Sequence, residues 1–292
     1  MSLHILENET LKITISTAGA ELKSIIKKAT NQEYMWQADP SYWGRTSPIL
    51  FPLVGNFTDK RYAYNGKLYP MSQHGFARDQ EFTYLEEDED TIWFRLNQNE
   101  ETLKIYPFNF QLDLGYELKD NMLTVLWKVT NTDEKTLHFS IGGHPAFLCP
   151  LNKDEQQTDC YLNFHTPEPL TSGILNEKGL LSPTTKTFQT EDGILKITET
   201  LFDEDALIFE HHQTQSVTLH SKDKTPYLTV DFNAPLFGIW SPTGKHAPFV
   251  CIEPWYGRSD KADFDGTLET REYNNYLDPN ATFKTNYKIT IH

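Results

Sequence analysis

Two side chains in this sequence combine a titratable group with a neighbourhood able to aim it. His144 lies in Ile141-Gly142-Gly143-His144-Pro145-Ala146-Phe147, where a glycine pair and a proline impose special backbone geometry on either side of the imidazole. Histidine is the side chain whose ordinary pKa of about 6.5 lets it give or take a proton near neutrality. Glu253 ends the apolar run Pro248-Phe249-Val250-Cys251-Ile252 and precedes Pro254. A carboxylate there is expected to be half buried, and burial raises its pKa towards the range useful to a base. An acid and a base are on offer, although a hydrogen-bonded histidine and a strand-end carboxylate at a turn would leave the same traces.

Two further segments concentrate Gly, Pro, His, Arg and Trp: residues 42–56 (YWGRTSPILFPLVGN) and 71–78 (MSQHGFAR). A rigid scaffold tends to carry function on such connections. Between positions 45 and 78, Arg45, Lys60, Arg61, Lys67 and Arg78 face Asp59 alone, a net +4 inside a chain of −15. That excess suits an anionic group on a ligand, and Arg45 and Arg78 lie inside the motifs themselves. Scattered surface charge around a hairpin is the plainer reading. Aromatic residues make up 13% of the chain, and Trp43, Trp240 and Trp255 fall in or beside the motif segments. An indole can stack on the apolar face of a sugar ring, yet tryptophan also buries well in a core.

Other chemistries have less to stand on. A metal set could be drawn from His211, His212 and His220, or from Cys149, Cys251 and His144, but neither spacing matches a zinc pattern, so no metal is expected. Neither GxSxG, GxGxxG nor a Walker A sequence is present, which leaves elbow-type serine hydrolases, dinucleotide enzymes and P-loop enzymes without a motif. Cys149 as a nucleophile would need an activating base and partial exposure, and a buried small cysteine is the simpler reading.

The elements that must position these groups read mostly as β. Residues 10–16 alternate with period 2, and Asn65-Gly66 between two short runs is a strong hairpin signal, because both central turn positions need φ > 0. Strand-like runs follow at 91–96, 111–118, 122–130, 216–220, 227–232 and 283–291, rich in β-branched and aromatic residues. One short helix is predicted over 100–105, stopped by Pro107. The acidic run 86–90 reads as a solvated turn, and 152–200 as polar loop or insertion. Many strands separated by turns predict an all-β fold, a large antiparallel sandwich with few short helices. With no linker, repeat or composition break, residues 1–292 are expected to form one domain.

Composition narrows the partners. With 26 Lys+Arg against 41 Asp+Glu the chain would repel a polyanion over most of its surface, so nucleic acid is excluded as a partner. Hydrophobic content of 38% with 23% charged residues fits a globular protein, and no stretch approaches the roughly 20 apolar residues of a bilayer span. The first residues lack the features of a signal peptide, and three cysteines without CxxC spacing suit a reducing compartment; a cytoplasmic protein, monomeric or homodimeric, is expected.

The ordered landmarks SPILFPLVGN (47–56), the Asn-Gly hairpin, QHGFAR (73–78), GGHPAF (142–147), FGIWSP (237–242) and CIEPWYGRSD (251–260) resemble the aldose 1-epimerase superfamily, most closely its LacX-like branch, from about residue 11 to 289. The resemblance implies a galactose mutarotase-like supersandwich and a cofactor-independent isomerase that interconverts α and β anomers of an aldohexose such as galactose or glucose. It implies that His144 protonates the ring oxygen while Glu253 takes the proton of the anomeric hydroxyl. His74 matches a histidine that hydrogen-bonds the sugar, and Asp205, with Asp203 two residues away, an aspartate that accepts from sugar hydroxyls. Asn56 falls where many relatives place an arginine or asparagine, and Arg78 matches an arginine shared with relatives acting on hexose 6-phosphates. Trp240, from its place beside the motifs, and Arg45, from the local charge, complete the expected substrate-binding set. A hexose-6-phosphate 1-epimerase and a non-catalytic carbohydrate-binding protein are the alternatives on the same fold. A glycoside hydrolase, which needs two carboxylates across one bond, ranks last because only Glu253 sits in a well-marked motif.

Overall fold

The computed structural model describes residues 1–292, the side chain of Glu87 excepted. Its largest sheet has nine strands in the order Ile194–Lys196, Tyr161–Asn163, Ser216–His220, Pro226–Phe232, Thr282–Ile291, Met122–Asn131, Phe110–Lys119, Thr91–Asn97 and Thr83–Glu87. A second sheet runs Leu181–Phe188, Leu170–Leu175, Leu207–Phe209, Leu236–Trp240, Phe249–Tyr256, Ile141–Gly143 and Ile49–Leu50, with Ala146–Leu148 also paired to Phe249–Tyr256. A four-stranded sheet, Leu3–Glu7 to Gln32–Glu33, covers one end. Pairing is antiparallel throughout these sheets, as a fold made of hairpins and short returns requires.

Period-2 alternation decides which side chains meet between the two large sheets. In Phe249–Tyr256, Val250 and Ile252 join the main apolar cluster, which also contains Leu114, Trp127 and Tyr287 of the nine-stranded sheet. Contacts across the interface include aromatic pairs: Trp127 meets Tyr256 at 6.4 Å between ring centroids and Phe232 meets Phe237 at 5.1 Å. The sandwich expected from the strand pattern is the observed architecture.

The Asn-Gly hairpin forms between Arg61–Tyr64 and Lys67–Pro70 with φ of 49° at Asn65 and 70° at Gly66. The helix Glu100–Ile105 is capped by Asn99 and ends before Pro107. In the acidic run, Asp88, Glu89 and Asp90 are exposed at the turn between Thr83–Glu87 and Thr91–Asn97, while the side chain of Glu87 lies outside the described residues. Residues 152–200 differ from expectation: they contain Tyr161–Asn163, Leu170–Leu175, Leu181–Phe188 and Ile194–Lys196. Leu181–Phe188 and Ile194–Lys196 are sheet edges, and positions 183–187 are exposed on both faces, so no alternation marked them in the sequence. Among the described residues no helix is long and apolar enough to cross a membrane.

Candidate active site

The residues of Phe249–Tyr256 that do not enter the main core point the other way. Phe249 and Cys251 pack with Trp36, Ala146 and Ala247, with Trp43 and Trp240 against them; Trp255 packs with Leu50, Val54, Leu181, Ile208 and Leu236. Glu253, between Cys251 and Trp255 on that same face, sits in the gap between the two apolar patches and is 1% exposed. Gly238 is its partner on the neighbouring strand, and a side chain there would collide with the Trp255 indole.

His144 is delivered to this gap by short strands on either side of it. Gly142 and Gly143 pair with Leu50 and Ile49, the His144 N–H donates to Pro48 O at 3.2 Å, and Ala146 pairs with Cys251. Its Nε2 lies 3.3 Å from Glu253 Oε2. The alignment is not that of a hydrogen bond, so Glu253 Oε2 has no hydrogen-bond partner, and neither do the buried His144 Nδ1 and Trp255 Nε1. Buried polar atoms without partners are rare enough to mark where a polar ligand is received.

Indoles and a second imidazole wall the gap. Trp43 stacks on His144 at 4.7 Å and 26°, and Trp240 meets it edge-on at 5.4 Å. Trp240 donates its N–H to Asp205 Oδ1 at 3.0 Å. Asp203 and Asp205 are both exposed, and it is Asp205 that meets the indole. His74 stands perpendicular to His144 at 5.9 Å. It has φ of +66° and is followed by Gly75 at +75°, where a Cβ would lie 2.2 Å from Phe51 O; only glycine closes that turn. The Gly55 N–H donates to His74 Nδ1 at 3.2 Å, which leaves the proton of the neutral ring on Nε2. Gly55 in turn has φ of +83° and no room for a Cβ against Ser259.

Asn56 is fixed through its backbone, donating to Ser259 Oγ at 2.9 Å and accepting from the Asp260 N–H at 3.0 Å. Gly179, between Leu170–Leu175 and Leu181–Phe188, lies against its side-chain amide. Arg78 donates to Gln73 O at 2.7 Å, while its Nε is buried without a hydrogen bond. Arg45 pairs with Asp79 at 2.7 Å, and Arg78 Nε is 3.9 Å from the same carboxylate. Two guanidiniums therefore share one carboxylate beside the histidines.

Electrostatics leave the central pair nearly uncharged. Burial, with a contribution from Asp205, holds the Glu253 carboxyl well above the ordinary carboxylate range, against a smaller opposing effect of the Trp255 indole. Burial lowers His144 to about 3, helped by Arg78 and Arg45. Burial also holds His74 well below the ordinary histidine value, with His144, Arg78 and Arg45 adding to it.

His144, Glu253, His74, Asp205 and Trp240 are thus brought together, Arg78 and Arg45 act on the histidines through their charges, and Asn56 joins through the turn that holds His74. Trp255 is part of a strand and 5% exposed, with its Nε1 beside Glu253, while Trp43 and Trp240 pack against the His144 ring. Two neighbours were named from the sequence without being placed in the expected site. Trp43 was one tryptophan among three, with no periodic signal to place it. Cys251 was weighed only with Cys149 and His144 as a metal set and set aside, although a Cys-x-Glu spacing on a strand puts both side chains on one face.

A sequence model of the family described as aldose 1-epimerase matches residues 2–270. The plasmid-encoded protein LacX of Lactococcus lactis subsp. lactis is 36% identical over 295 residues, covering 98% of both chains. A solved galactose mutarotase related enzyme from Lactobacillus acidophilus superposes with a TM-score of 0.93 at 36% identity, covering 100% of this chain and 97% of that one. A galactose mutarotase-like protein from Lactobacillus casei gives 0.92 at 34% identity over the full length of both. Sequence and fold agree over nearly the whole length, and the chain belongs to the aldose 1-epimerase family.

Proposed function

We propose that this protein is a cofactor-independent mutarotase for a free aldohexose, galactose or glucose, with His144 and Glu253 as its acid and base. The observation that carries the reading is the 3.3 Å approach of these two buried groups in an indole-walled gap. The anomeric and ring oxygens share one carbon, so an acid and a base serving both must be near neighbours. Glu253 takes the proton of the anomeric hydroxyl and His144 gives one to the ring oxygen. The bond from C1 to the ring oxygen breaks as the C1 carbonyl forms. Rotation about C1–C2 offers the other carbonyl face, and the same two groups in reversed roles close the ring. His74, with its proton on Nε2, donates to a sugar oxygen, Asp205 and Asn56 bind hydroxyls, and Trp43 and Trp240 meet the ring faces.

The cycle conserves one proton on the pair. A neutral histidine with a protonated glutamate, the arrangement burial favours, holds the same number as an imidazolium with a carboxylate. Adding a second proton needs His144 to charge, and burial has moved that step to about 3. The enzyme-catalysed kcat/KM is therefore expected to stay flat as pH falls through ~6.5, where an ordinary histidine would halve it. A half-loss at ~6.5 would mean that His144 titrates as an exposed imidazole.

The reading is tested by exchange NMR on the anomeric protons of glucose, galactose, mannose and their 6-phosphates. Accelerated exchange of a free sugar supports it; saturable line broadening without acceleration for any sugar would replace it with a carbohydrate-binding protein. A second reading, a hexose 6-phosphate as substrate, is favoured by the buried Nε of Arg78, which makes no hydrogen bond, beside Arg45. On that reading Arg78→Ala weakens a phosphosugar by about 1.5 to 3 kcal/mol, the usual range for a charge-assisted hydrogen bond, and leaves the free sugar nearly unchanged. Equal losses for both sugars would remove it.

A further inference from the structure

The acid-base pair has a third neighbour that anomerisation does not use. Cys251 is two residues before Glu253 on the same strand face, and its Sγ, a ring nitrogen of His144 and a carboxylate oxygen of Glu253 all lie within 4.8 Å of one another. Thiolate, imidazole and carboxylate are the donors that a borderline-soft divalent ion selects, whereas Mg²⁺ and Ca²⁺ require sets of oxygens. Tetrahedral Zn²⁺, with ligand bonds of roughly 2.0 to 2.3 Å, spaces its donors about 3.3 to 3.6 Å apart. His144 Nε2 and Glu253 Oε2 are already at 3.3 Å. A contraction of about 1 Å brings in the sulfur, within the reach of side-chain rotation. Glu253 Oε2, the oxygen nearest His144 Nε2, is buried without a hydrogen-bond partner, so ligation there would displace no protein hydrogen bond.

Charge points the same way. A thiolate and a carboxylate together neutralise a divalent ion, and a neutral cluster avoids the cost of burying net charge. Three protein ligands leave the fourth tetrahedral position for water or a sugar hydroxyl, as at open zinc sites. The chain order Cys-x-Glu with a distant histidine is not a zinc signature, which is why spacing alone did not reveal it.

We propose that His144, Cys251 and Glu253 form a binding site for a thiophilic divalent cation of the Zn²⁺ or Cd²⁺ type, and that the bound ion shuts off the acid-base pair. On binding, Cys251 and the protonated Glu253 each release a proton to solvent as sulfur and carboxylate form their bonds to the metal, with no change of oxidation state. Glu253 and His144 then hold the ion through the lone pairs that proton transfer requires. The inference goes beyond the mutarotase reading, because ion binding does not depend on turnover.

The test is a Cd²⁺ titration of the full-length protein, followed by the ultraviolet charge-transfer absorption of a cadmium-bound thiolate. One equivalent is expected to saturate the signal, Zn²⁺ to displace it, and Cys251→Ser to remove it. Glu253→Gln, which leaves the sulfur in place, is expected to weaken Cd²⁺ by about tenfold or more, the scale on which ligand-shell changes act. In the wild type, one equivalent of Zn²⁺ should stop catalysed anomeric exchange and a chelator restore it. A wild-type protein without a saturable signal would overturn the proposal, as would a signal undiminished in Cys251→Ser, which would place the ion on Cys149 or Cys160. Exchange absent from metal-free protein that binds Cd²⁺ as described would count against the mutarotase reading alone.

Discussion

Glu253→Gln is expected to lower catalysed anomerisation by about 100- to 10,000-fold, the contribution of one positioned acid or base, while the protein becomes no less stable at neutral pH. Glutamine keeps the shape and removes the only proton acceptor aimed at the anomeric hydroxyl in the proposed mechanism. The stability side follows from burial. The Glu253 carboxyl is 1% exposed, its Oε2 has no partner, and its pKa is raised above the ordinary value. Above ~4.3 the unfolded carboxyl ionises before the folded one does, so this group costs about 1.4 kcal/mol for every tenfold difference in acidity between the two states. A neutral amide carries no such cost. The advantage of the variant should therefore be present at pH 7 and fade as pH falls through ~4.3, where both states of the wild type are protonated. Urea midpoints at two pH values, beside exchange NMR, measure both halves. Wild-type exchange in the variant would dismiss Glu253 as the base.

This pairing of lost activity with unharmed stability is what distinguishes a functional group from a structural one. It also explains why the pair could be found in the sequence. His144 and Glu253 sit where apolar runs meet glycine and proline, and the structure places Glu253 within a strand and His144 between the short strands Ile141–Gly143 and Ala146–Leu148. Strands with one buried face were readable from alternation or from β-branched and aromatic runs: Ser216–His220 was bounded to the residue, and Leu11–Ser16 and Met122–Asn131 to within one. The Asn-Gly hairpin was readable because its turn demands those residue types.

What could not be read has a physical reason in each case. Leu181–Phe188 is a polar edge strand whose pairing is made by backbone, which leaves no trace in side-chain pattern. Trp43 reaches His144 across a stretch without periodicity, so its stacking depends on tertiary structure alone. That Asp205 rather than Asp203 meets the Trp240 indole depends on a contact between residues 35 positions apart. Arg258 and Asp260 lie in a segment that looks catalytic from its composition. The structure gives them a framework role instead: Arg258 pairs with Glu210 at 2.7 Å and with Glu272, and Asp260 pairs with Arg271 at 2.6 Å.

That framework predicts the second large effect. Asp260→Ala is expected to cost about 3 to 5 kcal/mol of stability, because it strands a charge the fold has fully desolvated. Arg271 is 6% exposed, stacks over Phe57 at 4.5 Å and donates to Arg258 O at 2.9 Å, so its guanidinium has no route to solvent when the carboxylate is removed. The backbone N–H of Asp260 holds Asn56, and the turn before Asn56 presents the Gly55 N–H to His74. Loosening here should therefore also weaken sugar binding, raising KM more than it lowers kcat, since no proton-transfer group is touched. Replacing both partners, Asp260→Ala with Arg271→Met, should recover part of the stability by removing the buried charge altogether. Urea midpoints of the two single variants and the double variant measure the coupling. If the double variant were less stable than Asp260→Ala by the full cost of Arg271→Met, the two residues would be acting independently, and the ion pair would not be what holds this side of the site together.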